Sequence, residues 1–209
     1  MAASLDIVFE DEHLLAVNKP PWLLSVPGRK PENHDSVAVR AREYCGDIFV
    51  VHRLDCATSG VMVLAKTKIA ERQLHQQFRE RETEKEYIAV GAGQACLVRG
   101  QVQLPLITDW PNRPRQKLDF QHGKHAVTRF RLMEQTDSRA RMRLYPVTGR
   151  SHQLRLHMKY LGLPIIGDQL YAPAEIANLS DRMLLHAELL RLRHPVEGNR
   201  LELFSPSPF

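Results

Sequence analysis

The chain has 209 residues, which is long enough to bury one sizeable core, and its 43% hydrophobic and 25% charged residues are ordinary for a globular protein. No apolar run approaches the length of a membrane span, and the first residues lack a signal-peptide pattern. The three cysteines, Cys45, Cys56 and Cys96, are widely spaced, which argues against a disulfide framework and predicts a cytoplasmic protein.

The charge is unevenly distributed along the chain. The net charge is +5, but residues 111–159 contain twelve Lys or Arg and only three acidic residues. This asymmetry is typical of a basic face that binds phosphates, although a solvated surface explains the charge equally well.

The N-terminal half alternates between short strands and helices. Two strands are predicted around an acidic turn in DIVFEDEHLLAVNKP, followed by a helix over residues 35–46 with Asp35 or Ser36 as its N-cap. Residues 60–66 are a predicted strand. Thr67 can cap a further helix with an apolar stripe.

The C-terminal half is richer in strands. Strands are predicted over residues 85–90, 97–106, 125–133, 138–147, 183–193 and 201–204, with one helix over 151–162. Period two places the arginines of 125–133 and 138–147 on one face and the apolar residues on the other. The predicted fold class is therefore α+β, with a mixed, mainly antiparallel sheet and flanking helices.

The first candidate site is the sequence HRLD, residues 52–55, between two apolar segments. The cations His52 and Arg53 would favour an ionised Asp55, and an ionised carboxylate can serve as nucleophile or base. The alternative is a turn aspartate that binds its own backbone, and local sequence alone favours it.

The second candidate is TGRSHQLRLH, residues 148–157. A helix that opens after Thr-Gly-Arg-Ser can bind an anion at its N-terminus, and Arg150 and Arg155 could contact phosphate or pair with a carboxylate. An ordinary capped amphipathic helix with solvated arginines is the competing interpretation.

The histidines do not have metal-ligand spacing, because His152 and His157 are five residues apart and no HExxH or His/Cys quartet exists. No metal is predicted. The sequence also contains no Walker A motif and no GxGxxG after a strand, so no cofactor is expected. Cys56 is interpreted as a small apolar residue rather than a nucleophile.

Three segments in order resemble the RluA family of pseudouridine synthases over nearly the whole chain: HRLDCATSG, KEYIA, and GRSHQLRLH followed by LGLPIIGDQLY. PLITDWPNRPRQK is similar to the dual-specificity branch, which modifies large-subunit (23S) ribosomal RNA and tRNA anticodon loops. Trp22, in NKPPWLL, stands where the family usually has glycine.

The resemblance implies a pseudouridine synthase catalytic fold and an isomerase that converts uridine to pseudouridine without a cofactor. It implies that Asp55 acts at the ribose as nucleophile or base. Tyr87 would stack on the uracil near C5, Arg155 would pair with Asp55, and Arg53 would lie near the target nucleotide. His52, Arg150 and His152 are the other expected substrate-binding residues.

The expected organisation is a single catalytic domain over residues 1–209, without a separate N-terminal RNA-binding domain, acting as a monomer on structured RNA and not on a membrane. Two rival functions remain: a non-catalytic RNA-binding or ribosome-assembly protein, and an RNA-cleaving enzyme that uses His152 or His157 as acid and base. The set Asp55, Tyr87 and Arg155 favours the isomerase, since binding alone does not need it.

Overall fold

The structure, a computed structural model, describes residues 4–209. Twelve strands are found in these residues: β1 (Ile7–Glu10), β2 (Leu14–Lys19), β3 (Phe49–Val50), β4 (Ser59–Ala65), β5 (Glu84–Ala92), β6 (Arg99–Gln103), β7 (Leu106–Thr108), β8 (Gln116–Leu118), β9 (Val127–Gln135), β10 (Arg139–Pro146), β11 (Leu185–Arg193) and β12 (Arg200–Phe204). The α-helices are α1 (Val37–Cys45), α2 (Lys68–Glu80), α3 (Gln153–Tyr160) and α4 (Ala174–Ala177). The described chain divides into two compact units, residues 4–85 with 186–208, and residues 86–185 with Phe209.

The first unit contains strands in the order β1–β2–β4–β11, with β12 paired to β11 and β3 paired to β4. The pairing of β4 with β11 is parallel, whereas the others in this unit are antiparallel. Its core includes Leu14, Val61, Val63, Leu74 and Leu190, all buried. The strand β4 is buried along its whole length, so it provides a rigid support for the residues that precede it.

A close backbone contact fixes the start of β4. Gly60 has a φ of +112°, and a Cβ at this position would lie 2.2 Å from the carbonyl oxygen of Ala187 on β11. Only glycine tolerates both the conformation and the approach. Gly60, the last residue of Thr-Ser-Gly, is therefore required for the parallel pairing of β4 with β11.

The second unit contains the antiparallel strands β10, β9 and β6 in that order, with the 86–92 segment of β5 on the other side of β10. A separate hairpin is formed by β7 and β8. Beneath the sheet, Leu106, Ala126, Leu156 and Tyr171 form a buried cluster with Leu170 packed against it.

The predicted fold class is confirmed, and several local predictions hold. Ser36 caps α1 by accepting a hydrogen bond from the Val39 N–H, and Thr67 caps α2 in the same way. On β10, Ala140, Met142 and Leu144 are buried while the arginines between them are at least partly exposed, as the period-two pattern predicts.

Other predictions need correction. The strand predicted over 97–106 is two strands, β6 and β7. Pro105 lies between them and lacks the N–H that strand pairing needs, so it separates the two. The helix predicted from residue 151 begins at Gln153, since His152 has a φ of 55° and cannot be helical. The short elements β3, β8 and α4 were not predicted. Whether the two units constitute the single domain expected over residues 1–209 stays a prediction.

Candidate active site

Asp55 lies in the loop between β3 and β4, partly buried, immediately after the buried Leu54. The Thr58 N–H donates to the Asp55 carbonyl oxygen at 3.1 Å, which closes a tight turn. The expected turn is thus present, and it involves the backbone of Asp55. The turn presents the carboxylate from the N-terminal end of the buried strand β4.

The N-terminal side of this turn is held by Ser25. Its hydroxyl donates to the Leu54 carbonyl oxygen at 2.7 Å and accepts from the Leu54 N–H at 3.0 Å. Both groups of Leu54 are buried, so the paired bonds satisfy them where water cannot. Ser25 therefore fixes the peptide groups directly before Asp55.

The C-terminal side is held by Lys19, which sequence reasoning missed. Its side chain is fully buried, and Nζ donates to the carbonyl oxygens of Pro20, Leu23 and Cys56 at 2.9, 2.7 and 2.9 Å. An ammonium group has three donors, so these carbonyls use all of them. The only signal in the sequence was a lysine inside the apolar pattern of β2, just before Pro20.

Trp22 also contacts this turn, through its N–H, which donates to the Cys56 carbonyl oxygen at 2.8 Å. Its φ of 67° lies in the left-handed region, and its side chain is 49% exposed. Glycine adopts this conformation without steric cost, which fits the glycine that the resemblance implies at this position. The loop conformation is thus compatible with tryptophan, at some cost in backbone strain.

The two residues before Leu54 differ in accessibility. His52 stacks on Phe78 at 4.7 Å between ring centroids, and its Nε2 accepts from the Val63 N–H at 3.0 Å. Removal from water lowers the pKa of His52 to about 3, so the ring is neutral. Arg53 is exposed. The structure therefore gives His52 a structural contact, while contact of either residue with substrate stays a prediction.

In the second unit, Arg155 forms a buried bidentate ion pair with Asp168. Its Nε and Nη2 donate to the two carboxylate oxygens at 2.8 and 2.5 Å, and both side chains are almost fully buried. The interpretation with solvated arginines is therefore wrong for Arg155, because residues 153–158 are all buried, whereas Arg150, which precedes α3, is exposed. Asp168 lies in the GDQLY segment, but its role as the partner of this arginine was not predicted.

The ion pair belongs to a larger network. An Asp168 carboxylate oxygen also accepts from the N–H groups of Leu170 and Tyr171, and the Arg155 guanidinium lies 5.0 Å from the Tyr171 ring centroid. The Tyr171 hydroxyl lies 2.6 Å from Nδ1 of His152. A guanidinium has five donors, and two go to Asp168, so the arrangement allows a further acceptor. The expected pairing of Arg155 with Asp55 stays a prediction.

The turn before α3 is held by Gln153. Its amide oxygen accepts from the Thr148 hydroxyl at 2.7 Å and from the Arg150 N–H at 3.0 Å. One of the N–H groups expected to bind an anion here is thus already paired. The Arg150 side chain is exposed, with Nε donating to the His125 carbonyl oxygen at 3.2 Å. Arg150 can therefore reach a substrate only through its side chain.

Tyr87 lies on β5, directly opposite Leu144 of β10. It is partly exposed and so accessible to a base. Because paired residues share a face of the sheet, Tyr87 lies on the same face as Leu144 and, through the next pair, Phe130.

The structure weakens the nuclease alternative at His157. This histidine is buried, its Nδ1 lies 2.8 Å from the Thr128 hydroxyl, and desolvation lowers its pKa to about 4. A general acid and base needs access to the RNA and a pKa near the working pH. Within residues 4–209 no group of three possible metal ligands is found.

Comparison with known proteins gives the family that the sequence motifs resemble. The profile described as RNA pseudouridylate synthase matches residues 13–160. The Dual-specificity RNA pseudouridine synthase RluA of Escherichia coli (strain K12) is 50% identical over 206 residues, which are 98% of this chain and 94% of that protein. The protein of the same name from Haemophilus influenzae is 49% identical over 206 residues, again 98% of this chain and 94% of that protein.

Solved structures agree. Human RNA Pseudouridylate Synthase Domain Containing 1 superposes with a TM-score of 0.84 at 27% identity, over 100% of this chain and 86% of that one. Human RNA Pseudouridylate Synthase Domain Containing 4 superposes with a TM-score of 0.76 at 28% identity, over 97% of this chain and 88% of that one.

The chain belongs to the RNA pseudouridylate synthase family. It is therefore an isomerase that converts uridine to pseudouridine in RNA, and it belongs to the RluA branch. All seven predicted site residues fall within the matched range, whereas Asp168 lies beyond it.

A further feature of this pseudouridine synthase suits RNA. The β7–β8 hairpin carries Trp110, which is 66% exposed, with the Arg113 guanidinium 4.7 Å from its ring centroid. Phe120, just beyond β8, is 77% exposed. Exposed aromatic rings among basic residues are typical of surfaces on which unpaired bases stack. The sequence indicated the basic charge of this segment and its resemblance, but not the exposure of its aromatic rings.

Proposed function

We propose that the chain isomerises uridines in stem-loops of both 23S ribosomal RNA and the tRNA anticodon loop. The observation that carries this is the identity of 50% over 98% of the chain with a dual-specificity synthase. The hairpin with Trp110 and Arg113 supports it, because it contains the segment that resembles the dual-specificity branch.

Asp55 is the proposed catalytic carboxylate. The reaction breaks the C1′–N1 bond of uridine, rotates the uracil and forms a C1′–C5 bond. N1 gains a proton and C5 loses one, so the mass is unchanged. An ionised carboxylate at the ribose can attack C1′ or remove a proton from the sugar. The anchoring of the turn by Ser25 and Lys19 supports this role, since catalytic groups need a fixed position.

Tyr87 and Arg155 are the other proposed catalytic residues. Tyr87 stacks on the uracil near C5, and its partial exposure supports a contact with the base. Arg155 is proposed to pair with the Asp55 carboxylate, as the resemblance implies. The rigid pairing of Arg155 with Asp168 supports a fixed guanidinium.

Arg53, Arg150, His152 and His52 are proposed to surround the target nucleotide. The reacting base must leave its stack, which costs a few kcal/mol in a helix and less in a loop. The exposed side chains of Arg53 and Arg150 suit contacts to the phosphates that offset this cost.

The chemistry needs no cofactor or metal, and we propose that the chain works as a cytoplasmic monomer. No helix within residues 4–209 is long and apolar enough to cross a membrane. Light scattering of the purified protein with and without RNA tests the monomer.

Tritium release tests the function. Unmodified 23S ribosomal RNA and tRNA that carry [5-³H]uridine are incubated separately with the protein, and the integrity of each RNA is checked on a gel. Release from both RNAs, with intact strands, is expected. Release from one RNA alone would contradict dual specificity, and strand cleavage without release would contradict the isomerase.

A further inference from the structure

Several arginines share one exposed face of the sheet formed by β6, β9 and β10. The register places Arg99 opposite Arg131, and Arg131 opposite Arg143, so one row of three arginines crosses three strands. In the next row Gln101 lies opposite Arg129, which lies opposite Tyr145. Arg99, Arg129 and Arg131 are exposed. We name the surface formed by Arg99, Gln101, Arg129, Arg131 and Arg143 the arginine face.

Acidic residues offset little of this charge. Glu86 pairs with Arg143 at 3.0 Å, and Glu134 lies opposite Arg141, beyond the bulge in the β9–β10 pairing. Both acidic residues flank the β10 side of the face. The β6–β9 side, with Arg99, Arg129 and Arg131, therefore has a concentrated positive charge.

This arrangement is unfavourable for folding by itself. Directly opposite residues in an antiparallel pair have Cβ atoms roughly 5 Å apart, and like charges at that distance repel. A surface that only had to be soluble would alternate the signs of its charges across the strands. The repulsion is relieved when a polyanion binds.

The register also places the arginine face on the side of the sheet opposite to Tyr87. Tyr87, Leu144 and Phe130 share one face, whereas Arg143 and Arg131, one residue away on each strand, share the other. An RNA segment that contacts the arginine face is therefore a different segment from the one whose base stacks on Tyr87.

We propose that the arginine face binds the phosphate backbone of RNA outside the target stem-loop. Charge complementarity identifies the ligand, because arginine side chains are common donors to phosphate oxygens. The exposed residues of the face are arginines and a glutamine, whereas the hairpin carries Trp110, so phosphate contacts rather than base stacking are expected on the arginine face. The proposal rests on the proposed function, because it assumes that RNA is the substrate.

The consequence is a dependence on RNA length. We expect a minimal anticodon stem-loop to contact the Tyr87 face alone, whereas a long fragment of 23S ribosomal RNA can extend to the opposite face of the sheet as well. The arginine face would then contribute to recognition of the long RNA and not of the stem-loop.

The test compares Arg99→Gln/Arg131→Gln with the wild type on both RNAs, with KM and kcat from tritium release. Arg72→Gln/Arg79→Gln, on exposed positions of α2, is the control with the same change in net charge. We expect KM for the long RNA to rise roughly tenfold with kcat unchanged, and the salt slope of log Kd to fall by about two. KM for the stem-loop should stay at the wild-type level. The control should keep the wild-type KM for both RNAs.

Arg99→Lys/Arg131→Lys keeps the charge and should restore most of the affinity, which a purely structural role of the guanidinium groups would not allow. Unchanged KM for the long RNA would overturn the proposal, as would an equal rise for both RNAs or for the control. Loss of all release by the wild type would instead contradict the proposed function, so the two failures are distinguishable.

Discussion

The Nζ atom of Lys19 lies 2.9 Å from the carbonyl oxygen of Cys56, the residue directly after Asp55. This bond connects the end of β2 to the turn that carries Asp55, the proposed catalytic carboxylate, although Lys19 and Cys56 are 37 positions apart in sequence. Lys19 therefore acts as a positioning residue for Asp55.

Replacement of Lys19 tests this role. Lys19→Met removes the Nζ donor from the carbonyl oxygens of Pro20 and Leu23, whereas that of Cys56 keeps the Trp22 N–H, and a buried unsatisfied group costs about 1–3 kcal/mol of unfolding free energy. We expect that loss in urea denaturation, together with a fall in kcat of about 100-fold from misplacement of Asp55. Lys30→Met, at a lysine that is 75% exposed, is the control. Wild-type kcat in Lys19→Met would contradict the positioning role.

Removal of the partner of Arg155 should destabilise the second unit. Asp168→Asn leaves a buried guanidinium without its counter-charge, which costs about 3–5 kcal/mol. The measurement is the free energy of unfolding in urea. A matched control exists in Asp35→Asn, because Asp35 forms a bidentate pair with Arg40 and is itself exposed.

For the exposed pair the expected loss is below about 1 kcal/mol, since water already screens it. Equal losses in Asp168→Asn and Asp35→Asn would show that burial does not strengthen the dependence of Arg155 on its partner.

His52 makes the stability depend on pH. Its pKa is lowered from 6.5 to about 3 in the folded protein, so between these values the unfolded chain binds one more proton at this residue. Stability contributed by neutral His52 is complete above pH 6.5 and is lost as the pH falls towards 3, by about 1.4 kcal/mol per pH unit.

His52→Gln removes the titrating group and retains an acceptor for the Val63 N–H. The slope of unfolding free energy against pH is measured from pH 6.5 to 4. It should be smaller than in the wild type by up to about 1.4 kcal/mol per pH unit, which corresponds to one proton. Identical slopes would mean that His52 is protonated in the folded protein.

The hairpin aromatics should contribute to RNA affinity without supporting the fold. Trp110→Ala is expected to weaken binding of the tRNA stem-loop by about 1–3 kcal/mol, the usual value of one stacked base, with an unchanged melting temperature. Phe204→Ala, at a phenylalanine that is 52% exposed in the first unit, serves as the control. If both variants bind like the wild type, base stacking on Trp110 is not used.

Local patterns predicted much of the fold. Thr67 was predicted as a helix cap and Ser36 as one of two candidates, and the arginines of β9 and β10 were placed on the correct face, because these features depend on neighbours in sequence. The pairing of β4 with β11 was not predictable in this way, since it depends on the contact of Gly60 with Ala187, far apart in the chain.

The candidate site likewise combines features that the sequence indicates with features that it does not. Motif resemblance predicts Asp55 as a site residue, but the polar partners that hold its turn are distant in sequence, so no local pattern indicates them. Lys19 resembled a strand-end lysine, and Arg155 resembled a solvated helix residue until Asp168 was found beside it. Burial of a charged side chain is a property of the fold, and periodicity alone does not show it.

Asp55→Asn tests the central claim, that Asp55 is the catalytic carboxylate, most directly. The substitution keeps the size of the side chain and removes its charge, and Asp47→Asn, at an exposed position, is the control. Tritium release from [5-³H]uridine tRNA and the Kd for the same RNA are measured side by side. We expect Asp55→Asn to bind like the wild type and release no tritium, while Asp47→Asn retains full activity; release by Asp55→Asn at the wild-type rate would contradict the account.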